Sequence, residues 1–189
     1  MPGRSASVPV IHRSLTIVCP PLWANPRNGV KKHYGRINRR KGMEWTEADV
    51  TLVPLAWLKA HEEIKEKNRD KLLEMTKRWD GYTKPLIVDR ATGSILDGHH
   101  RHSVGVLLGL KRVPAICLDY LTDDRILVDV WPGCGLESIT KADVIEMSLS
   151  PDVYPPKTSR HRIADETPPI FFPLETLREY PPFNGPDGS

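Results

Sequence analysis

The apolar positions of the chain fall into short runs separated by turn residues, a pattern typical of buried strands rather than of long helices. These runs begin at about residue 45, where the chain takes on the composition of a packed domain. Arg90–Gly93 supplies a turn between two of the runs and predicts a hairpin. The predicted strands cover residues 50–54, 85–89, 94–96, 113–118 and 126–131, with a last strand or turn at 171–177.

Helical spacing occurs in three segments between these strands. Over Glu66–Trp79 the apolar side chains recur on one face. Residues 102–110 predict a second helix with Gly109 near its end, and Thr140–Asp143 resembles a capping box that begins a third. Strands and helices that interleave in this way predict an α+β or mixed-sheet domain.

Composition limits the class of protein. The 189 residues are enough for one domain with a core, and they contain no apolar run long enough to span a membrane. Cys19, Cys117 and Cys134 fit neither a disulfide framework nor a zinc pattern, and there is no secretory segment at the start. These features predict a cytoplasmic protein. The net charge of +3 is too small to indicate a nucleic-acid binder by itself.

The charge is unevenly distributed along the chain. Residues 1–43 contain no Asp or Glu but nine lysines and arginines. This segment has three interpretations: a solvated basic extension, an organellar transit peptide, or a docking segment for nucleic acid or an acidic partner. We divide the chain into a loosely structured basic extension at 1–44, a single domain at 45–178, and a Pro/Gly-rich tail at 179–189.

The densest polar cluster is Asp97-Gly98-His99-His100-Arg101, which follows a predicted strand and precedes the second predicted helix. Gly98 allows a tight bend, and the helix would direct free N–H groups and its positive dipole end toward a phosphate. The two imidazoles and the guanidinium add donors for an anion, and Asp97 adds a metal ligand or an acceptor. A polar turn that caps a helix is the simpler interpretation, but this clustering favours a functional site.

Three further features are candidates for the same site. Glu62 and Glu63 follow His61 just before a helix, where they are either dipole partners or a base for an attacking hydroxyl. Lys157–His161 groups cations, hydroxyls and an imidazole, which suits phosphate binding but also a solvated loop. The chain has no Walker-type phosphate loop. Trp131 is either core packing or one wall of a small substrate pocket.

Together these segments resemble the free L-serine kinases of the ParB/sulfiredoxin-like superfamily. The resemblance covers about residues 50–175 and keeps the same order of segments. Asp-Gly-His-His-Arg marks the superfamily, whereas the His-Glu and Pro-Lys-Thr-Ser-Arg-His runs narrow the resemblance to the kinase branch. The matching segments are Leu52–Glu62, Lys84–Val88, Leu96–Arg101, Lys111–Tyr120 and Pro156–His161.

The resemblance implies a ParB/sulfiredoxin-like α+β fold, in which a mixed sheet with packed helices forms a single domain. It implies transfer of a phosphoryl group from ADP or ATP, with Mg²⁺, to the hydroxyl of free L-serine, giving O-phospho-L-serine. Glu62 is the implied general base, Asp97 a catalytic residue and possible Mg²⁺ ligand, and Trp131 and His100 are implied to bind substrate. The implied phosphate-binding residues are Gly98, His99, His100, Arg101, Lys157, Thr158, Ser159, Arg160 and His161.

The other two branches of this superfamily, the sulfiredoxins and the ParB partition proteins, fit the sequence less well than the kinases do. A sulfiredoxin needs a cysteine where His99 stands, and a ParB partition protein needs a helix-turn-helix domain, for which about 30 residues after His161 are too few. Some kinases of the family carry an insert before the Lys157 run that is short here, which leaves the choice of ADP or ATP open.

Two other functions compete with the kinase. One is a non-catalytic nucleotide-binding ParB-like regulator that binds a partner or nucleic acid through the basic extension, and the other is a nucleotide hydrolase with the same pocket. The intact Glu62 favours the kinase. The sequence predicts no membrane contact and leaves the oligomeric state open.

Overall fold

A computed structural model describes residues 45–179. The basic extension and almost all of the C-terminal tail lie outside these residues, so the division of the chain into three parts stays a prediction. The helices are α1 (Glu66–Trp79), α2 (His99–Leu107), α3 (Lys141–Leu149) and α4 (Leu174–Arg178), with short 3-10 turns at Glu47–Asp49 and Leu55–Trp57. The strands are β1 (Val50–Pro54), β2 (Gly81–Tyr82), β3 (Leu86–Asp89), β4 (Ile95–Asp97), β5 (Arg112–Leu118), β6 (Ile126–Val130), β7 (Ser159–Ile163) and β8 (Phe172–Pro173).

A four-stranded mixed sheet in the order β1-β5-β3-β4 forms the centre of the fold. β5 runs antiparallel to β1 and parallel to β3, and β3 and β4 form the predicted hairpin. Two parallel strands need a crossover connection, and here β4 and α2 supply it. Two smaller antiparallel pairs, β2-β8 and β6-β7, complete the strands of the described region.

The central sheet is buried on both faces. Leu86 and Val88 of β3 pack into one apolar cluster, whereas Ile87 between them packs into the other. The first cluster includes α4 side chains, and the second includes Trp45 and Val144. A strand covered on both sides is an unbroken apolar run in the sequence, which is why residues 85–89 predicted a strand without polar alternation.

The α+β class with a mixed sheet is confirmed, and several elements have the predicted bounds. α1 covers the predicted residues, and α3 begins at the predicted capping box, where Thr140 and Asp143 exchange hydrogen bonds. Asp80 ends α1 in the left-handed conformation at φ 52°. None of the helices between residues 45 and 179 is long and apolar enough to cross a membrane.

Two predictions of secondary structure were wrong, and β7 was not predicted. α2 begins at His99, three residues before the predicted start, because Gly98 at φ 108° turns the chain directly into the helix. Ser159–Ile163 forms β7, for which the sequence predicted no strand, since pairing with β6 supplies partners that the local sequence does not reveal. Residues 171–177 form β8 and most of α4 instead of one strand or turn.

Candidate active site

A pocket of about 400 Å³ lies between α2, the segment before α1 and the antiparallel β6-β7 pair, a volume suited to a small ligand. It brings together the predicted site residues except Lys157 and Thr158, whose side chains do not line it. The predicted residues in its lining are Glu62, Asp97, Gly98, His99, His100, Arg101, Trp131, Ser159, Arg160 and His161.

The N-terminus of α2 forms one side of this pocket. Gly98 precedes the helix, and no side chain caps it. A Cβ atom at Gly98 would lie 2.8 Å from Cγ of Leu86 and 3.1 Å from Nε of Arg101, so both the space and the positive φ require glycine. The first N–H groups of a helix lack partners within the helix, and the dipole favours an anion there.

Arg101 is held in place from two directions. Its guanidinium forms a 2.6 Å ion pair with Asp97, and its carbonyl accepts a 2.6 Å hydrogen bond from the hydroxyl of Tyr82. Within residues 45–179, the buried side-chain polar atoms without a hydrogen-bond partner all lie at or behind this pocket. They are Nδ1 of His61, Nε2 of His99, Nε2 of His100 and Nε of Arg101. Buried polar groups are normally satisfied, so this concentration indicates a ligand site.

The carboxylate of Glu62 binds the segment that leads into β7. Oε1 accepts the backbone N–H of Lys157 at 2.7 Å. Oε2 accepts the N–H groups of Thr158 at 3.1 Å and Ser159 at 2.8 Å, and the hydroxyl of Ser159 at 2.9 Å. The acidic residue in the first turn of α1 is Glu66, so Glu62 is not a partner of that helix end. The three backbone donors are therefore used within the protein.

Three imidazoles pack together at the inner side of the pocket, where His99 and His161 belong to the lining and His61 lies behind them. His61 is fully buried, and its ring centroid lies 4.6 Å from that of His99 and 5.6 Å from that of His161. Burial lowers the pKa of His61 to about 4 and that of His161 to about 3, and burial with neighbouring imidazoles lowers the pKa of His99 well below its usual value. The hydroxyl of Tyr120 lies 2.9 Å from Nε2 of His161. All three rings are therefore neutral near pH 7.

Trp131 contacts both cations of the polar run Lys157–His161, Lys157 and Arg160. Nζ of Lys157 lies 5.3 Å and the guanidinium carbon of Arg160 4.8 Å from the ring centroid. Attraction between a cation and an aromatic face stabilises such contacts. Trp131 therefore orients two positive charges at the rim, and a direct contact with substrate stays a prediction. The hydroxyl of Thr158 donates to the carbonyl of Pro155, and Thr158 is not part of the pocket lining.

Asp97 is the residue predicted to bind Mg²⁺. The described part of the chain holds no group of three or more His, Cys, Asp or Glu that could hold a metal ion without other ligands. Proteins commonly bind Mg²⁺ through one or two carboxylates together with substrate phosphates. Asp97 fits this arrangement because its side chain is 51% exposed beside the N-terminus of α2.

Sequence reasoning missed two groups of residues. One group is the apolar lining, formed by Ile64, Leu72, Leu96 and Ile163. The apolar face of α1 identified Leu72 but not the pocket it faces. The other group supports the site from behind: His61 hydrogen-bonds to a serine 98 positions away, and Tyr82 binds the backbone of α2. Separations of this size leave no local signal in the sequence.

Comparisons with known proteins agree with the predicted resemblance. No family model matches the chain. The ADP-dependent L-serine kinase of Thermococcus kodakarensis is 32% identical over 89 residues, which cover 45% of this chain and 36% of that protein. The ATP-dependent L-serine kinase of Staphylothermus marinus is 33% identical over 94 residues, which cover 48% and 37%. The matched segment is thus little more than a third of each relative.

The comparison with solved structures concerns the fold. A free serine kinase in complex with AMP superimposes with a TM-score of 0.62 at 19% identity, covering 73% of this chain and 97% of that one. The sequence comparison confirms the resemblance to L-serine kinases over the matched segment, and the structural comparison confirms that the chain shares the α+β fold of that solved kinase.

Proposed function

We propose that the chain transfers a phosphoryl group from ADP or ATP to the hydroxyl of free L-serine, giving O-phospho-L-serine. The observation that carries this proposal is the placement of an uncapped helix N-terminus and the carboxylate of Glu62 in one pocket. The first feature suits donor phosphates, and the second suits a hydroxyl acceptor. The relatives named as L-serine kinases support the choice of nucleotide and acceptor.

The donor phosphates bind at the N-terminus of α2 in this proposal. Backbone N–H groups after Gly98, the guanidinium of Arg101 and the unpartnered Nε2 atoms of His99 and His100 supply donors there. Phosphoryl transfer depends mainly on positioning and on neutralising charge, and this cluster of donors does both. Mg²⁺, when bound through Asp97, would neutralise further phosphate charge.

The acceptor hydroxyl loses its proton to Glu62. A carboxylate offers about four acceptor positions, two on each oxygen. Oε2 already has three donors, whereas Oε1 has only the N–H of Lys157. Oε1 therefore keeps an acceptor position for the seryl proton. Apolar side chains in the lining, including Ile64 and Leu72, leave less room for water that would compete as acceptor.

The direct test incubates the purified chain with L-serine, Mg²⁺ and either ADP or ATP. We expect phosphoserine, detected by mass spectrometry, in a one-to-one ratio with AMP or ADP. A parallel reaction without serine measures hydrolysis. Phosphate release that ignores serine would instead indicate a hydrolase, and nucleotide binding without any product would indicate a regulator.

We also propose that the protein acts in the cytoplasm. Cys117 and Cys134, the two cysteines in the described region, are free thiols, which is typical of a reducing compartment. Burial raises the pKa of the Cys117 thiol to about 11, so it stays protonated and unreactive.

A further inference from the structure

A line of three hydrogen-bonding groups begins at Glu62 and leads into the core. Oγ of Ser159 lies 2.9 Å from Oε2 of Glu62 and 2.8 Å from Nε2 of His61. Ser159 is 9% exposed and His61 is 0% exposed, so solvent does not replace either contact. Each contact therefore needs a proton from one of the three groups themselves.

The positions of the protons follow from the number available. An ionised carboxylate only accepts hydrogen bonds, so the proton between Ser159 and Glu62 belongs to the serine hydroxyl. Ser159 has no second proton, and two lone pairs facing each other at 2.8 Å would repel. The contact with His61 is therefore an Nε2–H group that donates to Oγ of Ser159.

The other edge of His61 agrees with this assignment. Burial lowers the pKa of His61 to about 4, so the neutral ring carries one proton near pH 7. The Ile95 carbonyl favours the protonated ring and competes with Ser159 for its N–H group. Nδ1 makes no direct hydrogen bond, however, which favours the proton on Nε2.

We propose that His61 and Ser159 are positioning residues for Glu62, an inference that rests on the proposed function. The Nε2–H of His61 directs the Ser159 hydroxyl toward Oε2, and this leaves Oε1 as the oxygen that takes the seryl proton. In the step, the seryl oxygen bonds to the transferred phosphorus, its proton moves to Oε1, and the bond from phosphorus to the departing nucleotide oxygen breaks.

Other titratable groups face the same pocket and could affect a pH profile. They are Glu63, Asp97, His99, His100, Arg101, Arg160 and His161. All of them remain in every variant used here, but His61 lowers the pKa of His99 and His161, so Ser159→Ala, which keeps the three imidazoles, is the variant that isolates the Ser159 contact.

The first test is Ser159→Ala in the full chain. Loss of a donor to an ionised carboxylate disfavours the ionised form, so the acidic limb of the kcat/KM profile should move up by about half to one pH unit. We expect kcat to fall about tenfold and nucleotide affinity to stay unchanged. Ser159→Thr keeps the hydroxyl and should restore the profile. Ser148→Ala removes another buried hydroxyl that lies outside the pocket, so it controls for the general effect of losing a buried hydroxyl.

The second test compares His61→Gln with His61→Phe. The glutamine amide can donate to Ser159, whereas phenylalanine fills similar space without a donor. We expect His61→Phe to reproduce the Ser159→Ala profile and His61→Gln to stay close to the wild type. Nitrogen-15 NMR of histidine-labelled wild type, with His61→Gln to assign the signal, reads the tautomer directly and does not depend on either variant being active.

The outcomes separate this inference from the proposed function. A proton on Nδ1 of His61, or an acidic limb that Ser159→Ala leaves in place, overturns the positioning roles even when phosphoserine is formed. A wild type that forms no phosphoserine overturns the proposed function, whereas the NMR signal still decides the direction of the hydrogen bonds.

Discussion

The two polar runs that meet in the pocket differ in what their backbone donors bind. At the N-terminus of α2 the helix is uncapped, and the buried Nε atom of Arg101 has no partner. In the run that begins at Lys157, three consecutive N–H groups already bind Glu62. The first run thus offers free donors to an anion, whereas the second contributes side-chain charge. Two segments of similar composition take different roles, and tracing their backbone hydrogen bonds distinguishes them.

Glu62→Gln should give the largest effect. Glutamine keeps the size of the side chain but cannot take the proton, so kcat should fall on the order of 10²–10⁴-fold. The side-chain amide of the new glutamine meets the backbone N–H groups of the second run that Glu62 accepts in the wild type. If α2 holds the phosphates, nucleotide affinity should nevertheless remain normal. Steady-state phosphoserine formation and calorimetry with nucleotide alone are the measurements.

Glu63→Gln is the matched control for this variant. Glu63 lines the same pocket, but the second run binds its neighbour, so the loss of activity should be much smaller. Similar small losses for the two variants would remove Glu62 as the base. A loss of nucleotide binding in Glu62→Gln would instead mean that the second run holds the phosphates.

Arg101→Ala and Asp97→Ala test the first run. Both should abolish turnover, and Arg101→Ala should weaken nucleotide binding by about 10- to 100-fold, because charge-assisted hydrogen bonds are lost. Lys157→Ala and Arg160→Ala should weaken nucleotide binding less than Arg101→Ala does and leave serine affinity nearly unchanged. If Arg160→Ala weakened nucleotide binding more than Arg101→Ala does, the second run rather than the first would hold the phosphates. Unfolding of Asp97→Ala or Arg101→Ala, seen by circular dichroism, would make that residue a structural one.

The buried imidazoles of His61 and His161 predict a pH dependence of stability. The folded pKa values of His61 and His161, about 4 and about 3, lie below the unfolded value of 6.5. The unfolded chain therefore binds protons that the folded chain does not, and the free energy of unfolding falls as pH drops from 6.5 toward 4. The loss is roughly 1.4 kcal/mol per pH unit for each histidine.

Urea unfolding at several pH values measures this dependence. His61→Phe removes one titrating group and should flatten the curve between pH 6.5 and 4. A slope as steep as that of the wild type would show that His61 is not kept neutral in the folded protein.

Trp131 should give the smallest effect. Trp131→Leu removes the aromatic face under Lys157 and Arg160, and a cation–π contact at an exposed site is worth about 0.5–1 kcal/mol. Nucleotide affinity should therefore fall about two- to fivefold, and Trp131→Phe should keep most of it. A raised KM for serine with unchanged nucleotide affinity would make Trp131 a wall of the serine pocket instead.

The parts of the fold with local signals could be predicted from the sequence. The apolar face of α1 and the capping box of α3 lie within single segments, and both helices have the predicted position. β7 could not be predicted in this way, because its exposed face carries Arg160 and Arg162 and its strand conformation depends on β6. One such dependence is the 2.5 Å ion pair between Arg162 and Asp129.

The candidate site likewise has one part that the local sequence predicts and one part that depends on long-range contacts. The clustering of Asp97 to Arg101 was visible in five adjacent residues, and the structure places them on one side of a pocket. The link between Glu62 and Ser159 joins positions 97 residues apart, so only the fold reveals it. The roles assigned to these residues stay predictions until the variants are measured.

Lys157 has a backbone conformation that its side chain does not favour. At φ 65° it lies in the left-handed region, where a residue other than glycine costs on the order of 1 kcal/mol. Glycine would relieve this strain and keep the N–H group on Glu62, but it would remove the ammonium from Trp131. Selection for heat resistance alone would therefore favour glycine here, and selection for catalysis would favour lysine. A single substitution at position 157 would thus raise thermal tolerance and lower activity, and the reverse substitution would do the opposite.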